Sequence, residues 1–144
     1  MSPFALTRAY HFSAAHQLAN PALSDEENAR IYGQCFRQHG HNYGLEVTVA
    51  GALDPATGMS VDLGVVDAAV KTAVLDRVDH YDLSATVPEL AGVITTGENL
   101  ARAFYHWLAD ALPRGVLRRV TLVETANNVF EYSGETHADE VTRR

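Results

Sequence analysis

The pattern of hydrophobic and polar positions predicts several short strands and two long helices in this chain. Strands are indicated where apolar and polar residues alternate, because successive side chains of a strand point to opposite faces. A turn at residues 54–58 separates two of these segments, which we predict to pair as a hairpin, and Asn127 with Asn128 separates the last two. The predicted strands span residues 4–15, 43–53, 59–63, 118–125 and 129–132.

Two longer segments carry apolar residues at the spacing of one helix face. The first spans residues 64–78, and the second opens at Thr95, where Thr95 and Glu98 could form a capping box. A short helical insertion is predicted within residues 20–33, with Ser24 as its cap. The order of strand, hairpin, helix, helix and hairpin predicts an α+β fold, in which an antiparallel sheet carries both long helices on one face.

Composition limits the class of protein. With 144 residues, of which 47% are hydrophobic, the chain is expected to form a single domain over residues 1–144. No apolar run approaches the roughly 20 residues of a membrane span, and the first residues lack the apolar core of a signal peptide, so a cytoplasmic protein is expected. The single cysteine, Cys35, agrees with a reducing compartment. The net charge of −7 argues against nucleic acid as a partner, since surfaces that follow phosphates are basic.

Three histidines are candidate metal ligands. His39 and His41 are two residues apart, so both point the same way from a strand, and two imidazoles are a reasonable start for a zinc site. Counting by twos also places His16 on one face with Phe12, whereas His11 points to the other face. We therefore predict His16 as the third ligand. The alternative is that these histidines are ordinary polar residues of a loop and a strand end.

Cys35 and the adjacent Asp79 and His80 are further candidates for chemistry. Cys35 precedes His39 by four positions, and its thiol could be a fourth metal ligand or a reactive group beside the metal. Asp79 and His80 come where the helix of residues 64–78 should end, so both could reach one cleft. A solvated helix end is the alternative for this pair.

Six short motifs occur in order over nearly the whole chain. They are Phe12-Ser-Ala-Ala-His16, Leu23-Ser-Asp-Glu-Glu-Asn28, Cys35 followed by His39-Gly-His-Asn-Tyr43, Asp79-His80, Thr96-Gly-Glu-Asn99 and Val123-Glu-Thr125. Together they resemble the 6-pyruvoyltetrahydropterin synthase and 6-carboxytetrahydropterin synthase family. The resemblance implies a tunnelling fold, in which a four-stranded antiparallel sheet with two long helices on one face assembles into a trimeric barrel, usually stacked into a homohexamer.

The resemblance also implies roles for individual residues. A zinc ion would be bound by the three histidines, and 7,8-dihydroneopterin triphosphate would be the substrate. A free thiol would act as the base at the carbon next to the pterin ring, while a carboxylate would orient and polarise the third proton-transfer group. The implied metal ligands are His16, His39 and His41, the implied catalytic residues are Cys35, Asp79 and His80, and the implied substrate-binding residues are Glu124, Thr96 and Glu98.

Two members of the family remain to be distinguished from the sequence. Only three residues lie between Cys35 and His39, as in the bacterial 6-carboxytetrahydropterin synthases, whereas the insertion at residues 23–28 is more similar to the pyruvoyl enzymes. Because the spacing involves the cysteine, we expect the carboxy enzyme, which releases acetaldehyde and triphosphate on the route to queuosine-type deazapurines. The alternatives are the pyruvoyl enzyme of the tetrahydrobiopterin pathway and a non-catalytic protein that binds zinc and pterin.

Overall fold

The computed structural model describes residues 2–135, and its four strands form one antiparallel sheet. The strands are β1 (Leu6–His16), β2 (His39–Val49), β3 (Leu117–Thr125) and β4 (Asn128–Tyr132), and they lie in the order β1-β2-β3-β4. The main helices are α1 (Asp25–Tyr32), α2 (Leu63–Val70) and α3 (Gly97–Ala111). The prediction of an α+β fold with a four-stranded antiparallel sheet is therefore confirmed.

The long helix predicted over residues 64–78 is present, but it is not α-helical throughout. Asp62 caps α2, because its carboxylate accepts a hydrogen bond of 2.9 Å from the backbone N–H of Gly64. The helix then continues through a π-helical segment, Lys71–Leu75, into a final α-helical turn, Asp76–Val78. A row of valines on this helix is fully buried, as the apolar spacing predicts: Val66, Val70, Val74 and Val78.

The strand predicted for residues 59–63 is wrong. Residues 54–58 do turn, with the backbone N–H of Gly58 donating to the carbonyl of Asp54 at 2.7 Å. The chain then leads directly into α2, because the carboxylate of Asp62 binds the first free N–H groups of that helix. The neighbours of β2 in the sheet are instead β1 and β3.

The cap of α3 also differs from the predicted one. Thr96, not Thr95, is the capping residue, since its hydroxyl accepts a hydrogen bond of 3.3 Å from the N–H of Asn99. Thr95 is buried instead, at 1% exposure. The predicted capping box of Thr95 and Glu98 is therefore wrong, and the buried Thr95 is available for contacts within the protein.

One face of the sheet packs against α2 and α3, and this packing forms the hydrophobic core. The strand register pairs Phe12 with Tyr43 and Leu45 with Leu122, and all four side chains are buried on this face. The start of α3 lies directly on β4, because a Cβ atom at Gly97 would come within 2.1 Å of the nearest atom of a β4 aromatic ring. No helix in residues 2–135 is long and apolar enough to cross a membrane.

Candidate metal and substrate site

Three histidines converge at the end of the sheet where β1 finishes and β2 begins. The antiparallel register pairs His16 with His39, and His41 is two residues further along β2, so all three point to the face that carries the helices. Their ring centroids are 4.5 to 5.1 Å apart. One ligand atom from each ring lies within 4.8 Å of the others, which is close enough for all three to bind one metal ion.

Backbone carbonyls orient two of the three rings. The Nδ1–H of His16 donates to the carbonyl of Thr95 at 3.0 Å, and the Nδ1–H of His39 donates to the carbonyl of Arg37 at 2.6 Å. These bonds leave the Nε2 atom of each ring as the unprotonated nitrogen, which is the form that binds a metal. The buried Thr95, which the sequence analysis assigned to a helix cap, is therefore a supporting residue of the site.

The Nε2 atoms of His16 and His41 are buried and have no hydrogen-bond partner. A buried polar atom without a partner costs about 1 to 3 kcal/mol, so two in one cluster are not explained by folding alone. A metal ion bound between the rings would satisfy both atoms. The residues present therefore fit a metal with nitrogen ligands.

The electrostatics of the cluster favour the neutral form of His16 and His41. Burial lowers the pKa of His16, and the neighbouring His39 and His41 lower it further. Burial also lowers the pKa of His41. Since a protonated imidazole cannot bind a metal, both shifts keep the rings in their ligand form at neutral pH.

Cys35 lies beside the histidines but not among the group that could share one metal. It belongs to a short 3₁₀ turn, Gly33–Phe36, whose position is fixed by a 2.9 Å bond from the N–H of Leu18 to the carbonyl of Cys35. Its partly buried side chain lines a depression together with Gln34, Arg37, Gln38, His39 and His41. Within residues 2–135, the group that could hold one metal ion comprises the three histidines alone. This geometry favours a reactive thiol over a fourth ligand.

Asp79 and His80 form a hydrogen-bonded pair beside β1. A carboxylate oxygen of Asp79 accepts from the Nδ1–H of His80 at 2.8 Å and from the backbone N–H of Ser13 at 3.0 Å. His80 has a φ of 67°, an uncommon value for a residue other than glycine, and its N–H donates to the carbonyl of Ser13 at 2.6 Å. The anchored backbone therefore presents an exposed imidazole, whose Nε2 makes no hydrogen bond among residues 2–135.

The pair does not share a depression with Cys35. His80 lines a second depression with Ser13, Asn42 and Tyr81, and only Gln38 and His41 border both depressions. No hydrogen bond joins Cys35 to the Asp79–His80 pair in the described part of the chain. Within one chain, the structure therefore brings Cys35 to the histidine cluster and leaves His80 at the adjacent sheet edge.

Glu124 stands near the histidines on β3. The register pairs Gly44 with Val123, and Glu124 is the next residue of β3, at the point where the pairing of β3 with β4 shifts. The carboxylate is half-buried and makes no hydrogen bond or ion pair among residues 2–135, and its charge acts on both His16 and His41. An unpaired carboxylate at this position is suited to binding the N–H groups of a ligand.

Thr96 and Glu98 are less well placed for ligand binding than the other predicted residues. The hydroxyl of Thr96 is used in capping α3, and Glu98 is exposed in the first turn of that helix. Tyr43 and Thr95 also contact the histidines, and the sequence pattern did not indicate either residue as part of the site. Tyr43 directly follows the His39-Gly-His-Asn segment, and its position two residues after His41 could have indicated that it shares the face of the ligands.

Comparison with known proteins identifies a family for this chain. The family model described as 6-pyruvoyl tetrahydropterin synthase matches residues 5–135. The 6-pyruvoyl tetrahydrobiopterin synthase of Homo sapiens is 42% identical over 132 residues, which cover 90% of this chain and 91% of the human protein. The protein of the same name from Dictyostelium discoideum is 42% identical over 90% of this chain and 96% of its own length.

A solved structure agrees with this result. The 6-pyruvoyl tetrahydropterin synthase of Caenorhabditis elegans superposes with a TM-score of 0.87 at 36% identity, and the match covers 93% of this chain and 98% of that one. A 6-carboxy-5,6,7,8-tetrahydropterin synthase from Aquifex aeolicus is also similar, but at 28% identity over 90% of this chain and 98% of its own length.

The expected 6-carboxytetrahydropterin synthase activity, with its acetaldehyde product and its place in queuosine biosynthesis, is contradicted by these comparisons. Relatives named as pyruvoyl enzymes are 38 to 43% identical, whereas the carboxy enzyme is 28% identical. The expectation rested on the short spacing between Cys35 and His39. In the structure this spacing reflects only how the turn Gly33–Phe36 leads into β2, so it does not report which bond of a substrate is broken.

Proposed function

Because the chain belongs to the 6-pyruvoyl tetrahydropterin synthase family, whose members are lyases, we propose that it is a 6-pyruvoyltetrahydropterin synthase. It would convert 7,8-dihydroneopterin triphosphate into 6-pyruvoyltetrahydropterin and release triphosphate. The observation that carries this proposal is the similarity to pyruvoyl enzymes over 90% of the chain at 38 to 43% identity. The reaction needs no external reductant, since the side-chain carbon next to the ring is oxidised from alcohol to ketone and the ring gains the two hydrogens lost there. The second carbon loses a proton as triphosphate leaves the terminal carbon, and the resulting enol becomes a ketone with a methyl group.

We propose that the metal is zinc and that His16, His39 and His41 hold it. Three neutral imidazoles suit zinc, and three protein ligands leave one position open, as in catalytic zinc sites. When bound there, zinc would lower the pKa of the hydroxyl groups of the substrate side chain. The carbonyls of Thr95 and Arg37 would keep two of the rings in their ligand orientation.

Proton transfer is assigned to Cys35 and the Asp79–His80 pair. Cys35 lines the depression that includes His39 and His41, so a substrate side chain held near the histidines would lie within reach of the thiol. Cys35 would remove the proton from the side-chain carbon next to the ring. Asp79 would hold His80 with its Nε2 free, and His80 would then move a second proton. Triphosphate leaves from the terminal carbon.

Glu124 would bind the pterin ring. The aminopyrimidine edge of a pterin presents two adjacent N–H groups, and a carboxylate can accept both. The half-buried carboxylate of Glu124 lacks a partner in the described residues and lies on the histidine side of the sheet, which supports this role. Thr96 and Glu98, at the start of α3, are assigned to the periphery of the same pocket.

We propose that the protein acts as a ring of identical copies. The edges of the sheet are β1 and β4, and unpaired edges of this kind tend to pair with other strands. Pairing β4 of one copy with the first half of β1 of the next would close a trimeric ring, and two rings would stack into a hexamer. A neighbouring copy could then complete the pocket around Cys35 with its own Asp79–His80 pair. We place the enzyme in the cytoplasm, where the free Cys35 remains reduced.

Two substitutions test the assigned roles by acting in opposite ways. Cys35→Ala is expected to slow turnover by about 100-fold or more, with zinc content and pterin affinity unchanged, because it removes only a proton-transfer group. Glu124→Gln is expected to weaken pterin binding by about 1.5 to 3 kcal/mol, since the amide presents a donor to the pterin N–H groups. Glu46→Gln, on the other face of β2, is the matched control and should leave both parameters unchanged.

Three results would contradict the proposal. Loss of zinc from Cys35→Ala would make the thiol a fourth ligand and the site a closed structural one. Unchanged pterin affinity in Glu124→Gln would remove that residue from the pocket. Zinc and pterin binding by the wild-type protein without any turnover would indicate a binding protein in place of the lyase.

A further inference from the structure

The hydroxyl of Tyr43 is a buried donor without a partner. The side chain has 0% exposure, and its Oη atom makes no hydrogen bond. Leaving such a group unpaired is unfavourable, and proteins normally remove it by using phenylalanine or by supplying an acceptor. Tyr43 lies two residues after His41 on β2, and its ring packs against the rings of His41 and His16, so this side chain borders the histidine cluster.

The tyrosine ring is held by its neighbours. It stacks on Phe12 with a centroid distance of 4.7 Å and an interplanar angle of 12°. The rings of His41 and His16 pack edge to face with the Tyr43 ring, at centroid distances of 5.4 and 6.2 Å. Since these aromatic contacts surround a fully buried ring, the hydroxyl cannot reach a distant acceptor by a change of rotamer. A hydrogen-bond acceptor for the Tyr43 hydroxyl must therefore be a group that moves toward it.

Glu124 is the side chain that can supply this acceptor. It is the residue of β3 that follows Val123, the partner of Gly44. Burial and then the charge of Glu124 raise the pKa of Tyr43, which places the carboxylate near the phenol. An ordinary phenol has a pKa of about 10, so the Tyr43 hydroxyl is a donor at neutral pH. Glu124 is half-buried and has neither a hydrogen bond nor an ion pair among residues 2–135, so its carboxylate has room to move. A carboxylate accepts about four hydrogen bonds, and two pterin N–H groups would use only part of this capacity.

We infer that Tyr43 is a positioning residue, whose hydroxyl donates to the inner oxygen of the Glu124 carboxylate when a ligand with adjacent N–H groups occupies the outer side. The inference rests on the proposed binding of a pterin by Glu124. The hydroxyl has no hydrogen-bond partner among residues 2–135, and in the complex it would fix the direction of the carboxylate. The unpaired hydroxyl lowers the stability of the protein locally, and it provides a donor that is already in position for the carboxylate.

The test is Tyr43→Phe, which removes the hydroxyl and keeps the stacked ring. Biopterin binding followed by fluorescence is expected to weaken about 10-fold, and KM for 7,8-dihydroneopterin triphosphate should rise by a similar factor, with kcat within about 2-fold of wild type. The melting temperature should not fall, because the hydroxyl has no partner to lose. A purely structural hydroxyl would instead lower the melting temperature and leave KM unchanged.

Tyr10→Phe is the matched control. The hydroxyl of Tyr10 donates to Asp67 at 2.6 Å, away from the histidines, so its removal should reduce stability without changing KM. In a Glu124→Gln background, Tyr43→Phe should change biopterin affinity by less than about 2-fold, since the two residues act as one unit.

The outcomes separate this inference from the proposed function. If Glu124→Gln weakens biopterin binding but Tyr43→Phe does not, the role of Tyr43 is overturned and the pterin site stands. If neither substitution affects biopterin binding, the pterin site itself is wrong, and the inference is overturned with it. An additive effect in the double variant would show that Tyr43 acts independently of Glu124 and would also overturn it.

Discussion

Replacing His16 and His39 in turn should separate metal binding from folding, because the two ligands differ in burial. His16 has 1% exposure, and its ring is surrounded by the other two histidines and by Tyr43. His39 lies at the start of β2 and is only half-buried. Both are predicted to be equally necessary for the metal, since two imidazoles rarely hold zinc firmly.

The expected magnitudes follow from the contacts that each ring makes. In the metal-free protein, His16→Ala leaves the carbonyl of Thr95 without its 3.0 Å donor and opens a cavity, so unfolding should become easier by about 2 to 4 kcal/mol. His39→Ala loses one exposed bond to the carbonyl of Arg37, which should cost about 1 kcal/mol or less. The two variants should nevertheless lose zinc to the same extent.

The assay combines zinc content per chain, measured by emission spectroscopy after dialysis, with urea unfolding of the metal-free proteins. His11→Ala is the control, because His11 lies on the exposed face of β1 and should keep both zinc and stability. Full zinc content in His39→Ala would refute its assignment as a ligand. Equal stability of the two metal-free variants would refute the description of His16 as a buried, hydrogen-bonded residue.

Three further predictions concern pH, packing and assembly. Burial lowers the pKa of His16 and His41 below their ordinary value of 6.5, so the unfolded chain takes up protons first as the pH falls. In urea unfolding, the free energy of unfolding of the metal-free protein should therefore fall as the pH falls below about 6.5. The loss is at most about 1.4 kcal/mol per pH unit for each histidine, and it ends when the folded rings also protonate. A free energy of unfolding that rises on acidification would contradict this prediction. Gly97→Ala places a methyl group within 2.1 Å of the nearest atom of the Phe130 ring. This clash should destabilise the protein by about 1 to 3 kcal/mol in thermal unfolding. An unchanged melting temperature would refute the close packing of α3 on β4. Light scattering at micromolar concentration should give a multiple of the 15.7 kDa chain mass, whereas a monomer would exclude the ring.

The histidine cluster could be predicted in part from the sequence, because the alternation of side chains along each strand is local. The period of two along a strand places His39 and His41 on one face, and the same counting separates His16 from His11. The structure adds the register that pairs His16 with His39, which brings the two strand ends together. Only this pairing, which the sequence pattern could not establish, turns three separate histidines into one group.

The errors and omissions arose where contacts between distant parts of the chain decide the outcome. Residues 59–63 have the composition of a strand, but Asp62 caps α2 and the sheet has β3 in the place of the predicted hairpin partner. The local sequence predicts Thr95 as a cap, but its carbonyl accepts a hydrogen bond from His16, 79 positions away. The proposed role of Tyr43 depends on its contact with Phe12 and on the neighbouring strand β3. The sequence around Tyr43 predicts neither contact.

The product formed from 7,8-dihydroneopterin triphosphate tests the proposed function most directly. Purified protein loaded with zinc should be incubated with this substrate in the absence of any reductant, and the products should be identified by mass spectrometry. Equal amounts of triphosphate and 6-pyruvoyltetrahydropterin are expected, with no acetaldehyde. The appearance of acetaldehyde with 6-carboxytetrahydropterin, or the recovery of unchanged substrate, would contradict the proposed function.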